Sequence, residues 1–141
     1  MKTLLASLLL LVTATAFAEP KAGWSEDYTA SLAKAKAEKK DVLLDFTGSD
    51  WCGWCIKLDK EIFSTAEFKQ LAEKKLVLVE LDYPRSKTLP DEVKKQNAEL
   101  KAKFGIRGYP TIILVNSRGK EVKRWVGYNA NMLAELKKEV R

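Results

Sequence analysis

Cys52 and Cys55 are the only two cysteines in the 141-residue chain, and they stand three apart in Trp51-Cys52-Gly53-Trp54-Cys55. In a helix, residues at that spacing share a face, so the two sulfurs can come within bonding range. A cysteine at the first turn lies among unpaired amide groups at the positive end of the helix dipole, where a thiolate is stabilised. That position makes Cys52 the attacking thiol of a disulfide exchange. Cys55, one turn further in, is the resolving thiol, and Gly53 permits the tight entry. Other uses of the pair are weaker. Zinc needs four ligands, and one Cys pair with no His does not supply them, so no metal site is expected. Copper handling lacks its usual extra Met or His ligands. A purely structural bridge would close too small a loop to constrain the unfolded chain much. The absence of His also removes Ser-His and Cys-His catalysis and haem attachment. The redox-active disulfide is then the only cofactor the chemistry needs.

Asp45 is the next candidate, because Leu44 and Phe46 flank it in an apolar run. A buried carboxylate costs several kcal/mol unless it is neutral or paired. Seven residues before Cys52, it could lie beneath the helix and exchange a proton with Cys55. An Asp on a polar strand edge is the competing reading. Tyr109-Pro110-Thr111 precedes another apolar run, where a Pro is tolerated because its missing amide falls outside the ladder. The residues by themselves leave the isomer of the Tyr109–Pro110 bond open.

The elements that must position these groups alternate. Glu26–Lys40 reads as a helix, with Tyr28, Leu32, Ala33 and Ala37 on one side, broken at Asp41. Val42–Thr47 reads as a strand, Gly48-Ser49-Asp50 as a turn, and Ile56–Phe63 as a helix packing Ile56, Leu58, Ile62 and Phe63. Helix Thr65–Lys75, strand Leu76–Asp82, loop Tyr83–Pro90 and helix Asp91–Phe104 follow. Strands Thr111–Val115 and Glu121–Val126 form a hairpin, and helix Ala130–Val140 closes the chain. This order predicts an α/β fold: a central mixed β-sheet flanked by helices on both faces, its first strands parallel and its last hairpin antiparallel. The two apolar strands should lie inside the sheet.

The N-terminus has a different character. Lys2, the apolar Leu4–Val12 and the small-x-small Ala16-Phe17-Ala18 predict a signal peptide over residues 1–18, and a single domain over 19–141. An uncleaved anchor is the alternative, although the apolar stretch is short for a span. Export implies the periplasm or secretion. The chain carries a net charge of +6, but acids such as Glu38 and Glu99 interleave with the lysines. A solvated surface explains that better than nucleic-acid binding, which needs clustering of one sign.

Together these stretches resemble the thioredoxin family. Val42–Lys57 is similar to its active-site signature, Phe104–Thr111 to its second signature, and Gly127 falls where the family often has a Gly after the hairpin. The likeness covers nearly all of residues 19–141 and is nearest to exported bacterial thioredoxin-like proteins, including the C-terminal thioredoxin domain of membrane disulfide reductases. It implies a thioredoxin fold, with Cys52 attacking, Cys55 resolving and Asp45 as the buried acid. It also implies that Pro110 is cis and faces the disulfide, and that Trp51, Gly53, Trp54, Tyr109, Pro110 and Thr111 form the substrate-contacting set. The expected function is protein-disulfide reduction or exchange by a monomer. Its partners would be exported proteins with disulfides and a membrane electron donor, with no nucleic acid. An oxidase or isomerase, or a binding module with a passive bridge, are the alternatives. Three departures stand out. Trp54 replaces the Pro or His common between the cysteines. Asp45 is one residue further from Cys52 than usual, which suggests a bulge at Gly48-Ser49-Asp50. The Lys that often faces the buried acid has no counterpart on the next strand, where Leu78 occupies the region.

Overall fold

In the computed structural model, which describes residues 19–140, β1 (Asp41–Thr47) runs through the middle of the sheet. The expected signal segment lies outside the described residues. β1 pairs in parallel with β2 (Leu76–Asp82) and antiparallel with β3 (Thr111–Val115). β3 turns at Asn116–Gly119 into antiparallel β4 (Glu121–Val126), giving the order β2-β1-β3-β4. The hairpin turn closes because Gly119, at φ 78°, takes a left-handed conformation and donates to the Asn116 carbonyl at 2.8 Å.

Strand side chains alternate between faces, so the apolar runs feed two cores. Leu43, Leu78, Ile112 and Leu114 pack under α2 (Gly53–Leu58), a π-helical turn that continues it (Asp59–Phe63), α3 (Ala66–Lys75) and α5 (Met132–Glu139). Leu44, Phe46, Val79 and Ile113 pack on the opposite face against α1 (Tyr28–Glu38) and α4 (Asp91–Lys103). The mixed sheet with helices on both faces is thus present.

Several expectations change. β2 is an edge strand rather than an interior one. Its apolar run reflects burial on both faces by helices, and its outer edge is partly covered by the lead-in before α1 (residues 19–27): the Ser25 N–H donates to the Leu78 carbonyl and the Glu80 N–H to the Ser25 carbonyl, each at 2.9 Å. The buried side of α1 is Tyr28, Ser31, Leu32 and Ala35, with Ala33 and Ala37 exposed. Ser31 tolerates burial because its hydroxyl donates to the Asp27 carbonyl at 2.6 Å. That helix ends at Lys39, in the left-handed region at φ 56°, and Asp41 already belongs to β1. The helix after the cysteines begins at Gly53, and Ile56 is half-exposed beside the cysteines rather than in the core.

Candidate active site

The turn from β1 into α2 is built by backbone closure on Gly48, whose carbonyl accepts from the Cys52 N–H at 2.9 Å. Ser49 ties the turn to β2, donating through its backbone N–H (2.9 Å) and hydroxyl (2.5 Å) to the Asp82 carboxylate. Asp50 accepts from the Arg85 and Ser86 amides, at 3.0 and 2.7 Å. Gly48 has no room for a side chain, because a Cβ would stand 2.3 Å from the Trp51 ring. These contacts fix where α2 begins.

Cys52 is the N-cap of α2, and its sulfur accepts the Cys55 N–H at 3.3 Å. Cys52 and Cys55 are joined as a disulfide with their Cα atoms 5.2 Å apart, and both are buried. A thiolate at Cys52 would keep that amide as a hydrogen-bond donor and the helix dipole as a second stabiliser. The Tyr109–Pro110 bond is cis. Tyr109 meets Trp51 edge-on at 5.8 Å, and the Trp51 indole N–H donates to the Tyr83 carbonyl at 2.8 Å. Thr111 heads β3 with its hydroxyl bonded to the Gly108 carbonyl, and the Pro110 carbonyl accepts from Gly127 N–H at 2.8 Å. Gly53 and Trp54 are exposed, and Trp54 stacks on Tyr128 at 5.6 Å.

Beneath α2, Asp45 and Cys55 line one cavity of about 310 Å³. Asp45 lies on the α2 face of β1, and one of its carboxylate oxygens has no hydrogen-bond partner. Burial, reinforced by the Glu80 carboxylate and opposed by Lys21, pushes the Asp45 carboxyl up to about 8. A proton there is poised to move near neutral pH. Asp82, equally buried, differs: Ser49 and the Lys87 ammonium, at 3.0 Å, saturate it. Asp45, by contrast, keeps a buried oxygen without a partner.

The residue opposite Asp45 on β2 is Glu80, not Leu78, which pairs with Leu43. Burial raises the Glu80 carboxyl above its ordinary range, opposed by Lys21. Sequence reasoning also missed Lys21, which lies ahead of the first element read from the sequence and forms an ion pair with Asp59. Glu80 carried a readable signal, an acid breaking an apolar run as Asp45 does. Lys21 carried none, since nothing in the chain marks a lead-in lysine as reaching this cavity.

Residues 28–140 match the thioredoxin-like domain. The chain belongs to the thioredoxin-like family. The disulfide bond reductase DsbH of Chlamydia pneumoniae is 39% identical over 99 residues, which are 70% of this chain and 60% of DsbH. The chain thus spans about 60% of the length of that relative. A solved DsbH oxidoreductase structure superposes with a TM-score of 0.74 at 35% identity, covering 82% of each chain. The C-terminal domain of Neisseria meningitidis DsbD, in its oxidised form, superposes at 0.57 with 19% identity, covering 79% of this chain and 90% of that domain, and shares the fold. This thioredoxin-like protein is therefore related to a disulfide reductase and carries a Cys-x-x-Cys disulfide at the start of α2.

Proposed function

We propose that the protein is a thiol–disulfide oxidoreductase of the cell envelope that reduces or exchanges disulfides in exported proteins. The observation that carries this is the Cys52–Cys55 bridge at the helix start, with the inner sulfur's residue lining the same cavity as an unsatisfied buried acid. The likeness to DsbH supports the reductive direction.

In that direction the reduced protein presents Cys52 as thiolate, which attacks a substrate disulfide and releases one substrate thiolate. Cys55 gives its proton to the Asp45 carboxylate and attacks the Cys52 sulfur. The second substrate thiolate leaves as the Cys52–Cys55 bond forms. Two electrons pass from the protein dithiol to the substrate, and a membrane electron donor restores the dithiol. Trp51, Gly53, Trp54, Tyr109, Pro110 and Thr111 supply the surface on which an extended substrate segment lies. The signal segment sends the protein to the periplasm or outside, where it acts as a monomer without nucleic acid.

Equilibration of the mature protein against thiol redox buffers tests the direction. A potential near thioredoxin's, roughly −270 mV, supports the reductase, and one near the strong periplasmic oxidants, roughly −120 mV, overturns it. Acceleration of insulin reduction by dithiothreitol, abolished in Cys52→Ala, separates a catalyst from a binding module with a passive bridge, which would show neither effect.

A further inference from the structure

The lead-in before α1 lies outside the matched domain, yet it is built into the site. It is pinned at three points. Ser25 pairs with β2 on either side of Val79. Trp24 is buried against Phe63, at 5.0 Å, and Phe68, at 6.2 Å. The Trp24 N–H closes a turn onto the Lys21 carbonyl at 2.9 Å, with Gly23 left-handed at φ 83°. This turn sends the Lys21 side chain over the Trp24 ring, its ammonium 4.6 Å from the centroid, and into the cavity shared by Asp45 and Cys55. Only 27% of that side chain is exposed.

The cavity's charges are otherwise arranged against Asp45. Glu80 and Asp82 face it from β2, and Glu19 and Asp59 line the cavity from the lead-in and the π-helical turn. Lys69 of α3 repels Lys21, and Glu26 repels Glu80. Lys87 lines the cavity too, but its ammonium is bonded to Asp82. Lys21, whose ammonium is ion-paired with Asp59, is, among the described residues, the cation that bears on both Asp45 and Glu80. Burial pulls the Lys21 ammonium below the usual lysine range, while Asp45 and Glu80 act to keep it charged.

Resting on the reading of Cys55 as resolving thiol, we infer that Lys21 is a positioning residue for the resolving step: its ammonium, delivered by the lead-in, favours the Asp45 carboxylate, the form that accepts the Cys55 proton. In that step the Cys55 S–H proton passes to the Asp45 carboxylate and the thiolate attacks Cys52 Sγ. The bond from Cys52 to the substrate sulfur breaks as the Cys52–Cys55 bond forms, and the substrate sulfur departs with the electron pair. The lead-in thus adds a cation to a cavity where β1 and β2 set three carboxylates and the Lys87 ammonium is bonded to Asp82.

The test uses the mature protein with Lys21→Met, which keeps the stem over Trp24, and Lys21→Arg, which keeps the charge. The Asp45 carboxyl is titrated by carbon-13 NMR in the disulfide form. The resolving step is followed by tryptophan fluorescence when reduced protein meets oxidised glutathione, across pH. In Lys21→Met the Asp45 midpoint should rise by about one unit, as expected for loss of a nearby opposite charge. Resolution at pH 7 should slow about tenfold, its pH profile moving up by the same unit. The Cys52 attack should be unchanged, and Lys21→Arg should behave as the parent. An Asp45 midpoint that does not move, or a resolution rate that falls equally at every pH without moving its midpoint, overturns the inference. If the parent fails to reduce glutathione disulfide while Lys21→Met still moves the Asp45 midpoint, the oxidoreductase reading fails and the link between Lys21 and Asp45 stands.

Discussion

Replacing Asp45 with Asn should stabilise the fold by an amount that grows with pH. Asp45 is 4% exposed, has an oxygen without a partner, and holds its proton up to about 8 in the folded protein, against 3.8 for an ordinary aspartate. A group whose folded value is raised contributes its stability fully below the unfolded value, and that contribution is lost as pH climbs to the folded value. Between about pH 4 and pH 8 the unfolded chain sheds a proton that the folded chain must keep. Each pH unit therefore costs the parent about 1.4 kcal/mol, reaching about 4 kcal/mol at pH 7. Asn does not titrate and has nearly the same shape. The difference in unfolding free energy between Asp45→Asn and the parent should thus be small at pH 4, rise through neutrality and level off above pH 8. Urea unfolding of both disulfide-bonded proteins at pH 4, 5.5, 7 and 8.5 measures it. A difference independent of pH, or one that grows toward acid, would refute a buried protonated Asp45.

Two further outcomes follow from the packing around the site. Gly48→Ala forces its Cβ against the Trp51 ring, so it should cost about 1–3 kcal/mol by overpacking and shift the Trp51 fluorescence as the bond to the Tyr83 carbonyl is lost; unchanged stability and emission would mean the turn yields freely. Asn97→Leu removes a buried amide that donates to the Asp82 carbonyl at 3.0 Å. It should cost about 1–3 kcal/mol in thermal or urea unfolding, because the carbonyl is left without that donor.

Local chemistry was legible in the chain where one residue type has few uses. Two cysteines three apart, with no His to compete for other roles, specify disulfide chemistry, and their place between an apolar strand and a helix specifies which sulfur caps the helix. The helices and strands were legible too, because period and turn residues are short-range properties. Burial of particular helix faces was less so. Ala33 and Ala37 are as apolar as Ala35, and only the docking of α1 on the sheet decides that Ala35 is covered while the other two face water.

What the tertiary structure alone decided is the environment of the acid. An Asp in an apolar run announces a cost, but its neighbours across the sheet depend on register, and register is set by pairing over the whole strand. That pairing put Glu80 rather than Leu78 beside Asp45, and it left β2 at an edge where Ser25 could join it. The same edge anchors the turn that carries Lys21 into the cavity. Lys21 is 24 residues before Asp45 in the chain, so no local pattern links them. Chain order determined the thiols and the elements that carry them. Which charges surround the buried proton was settled only by distant segments folding onto one another.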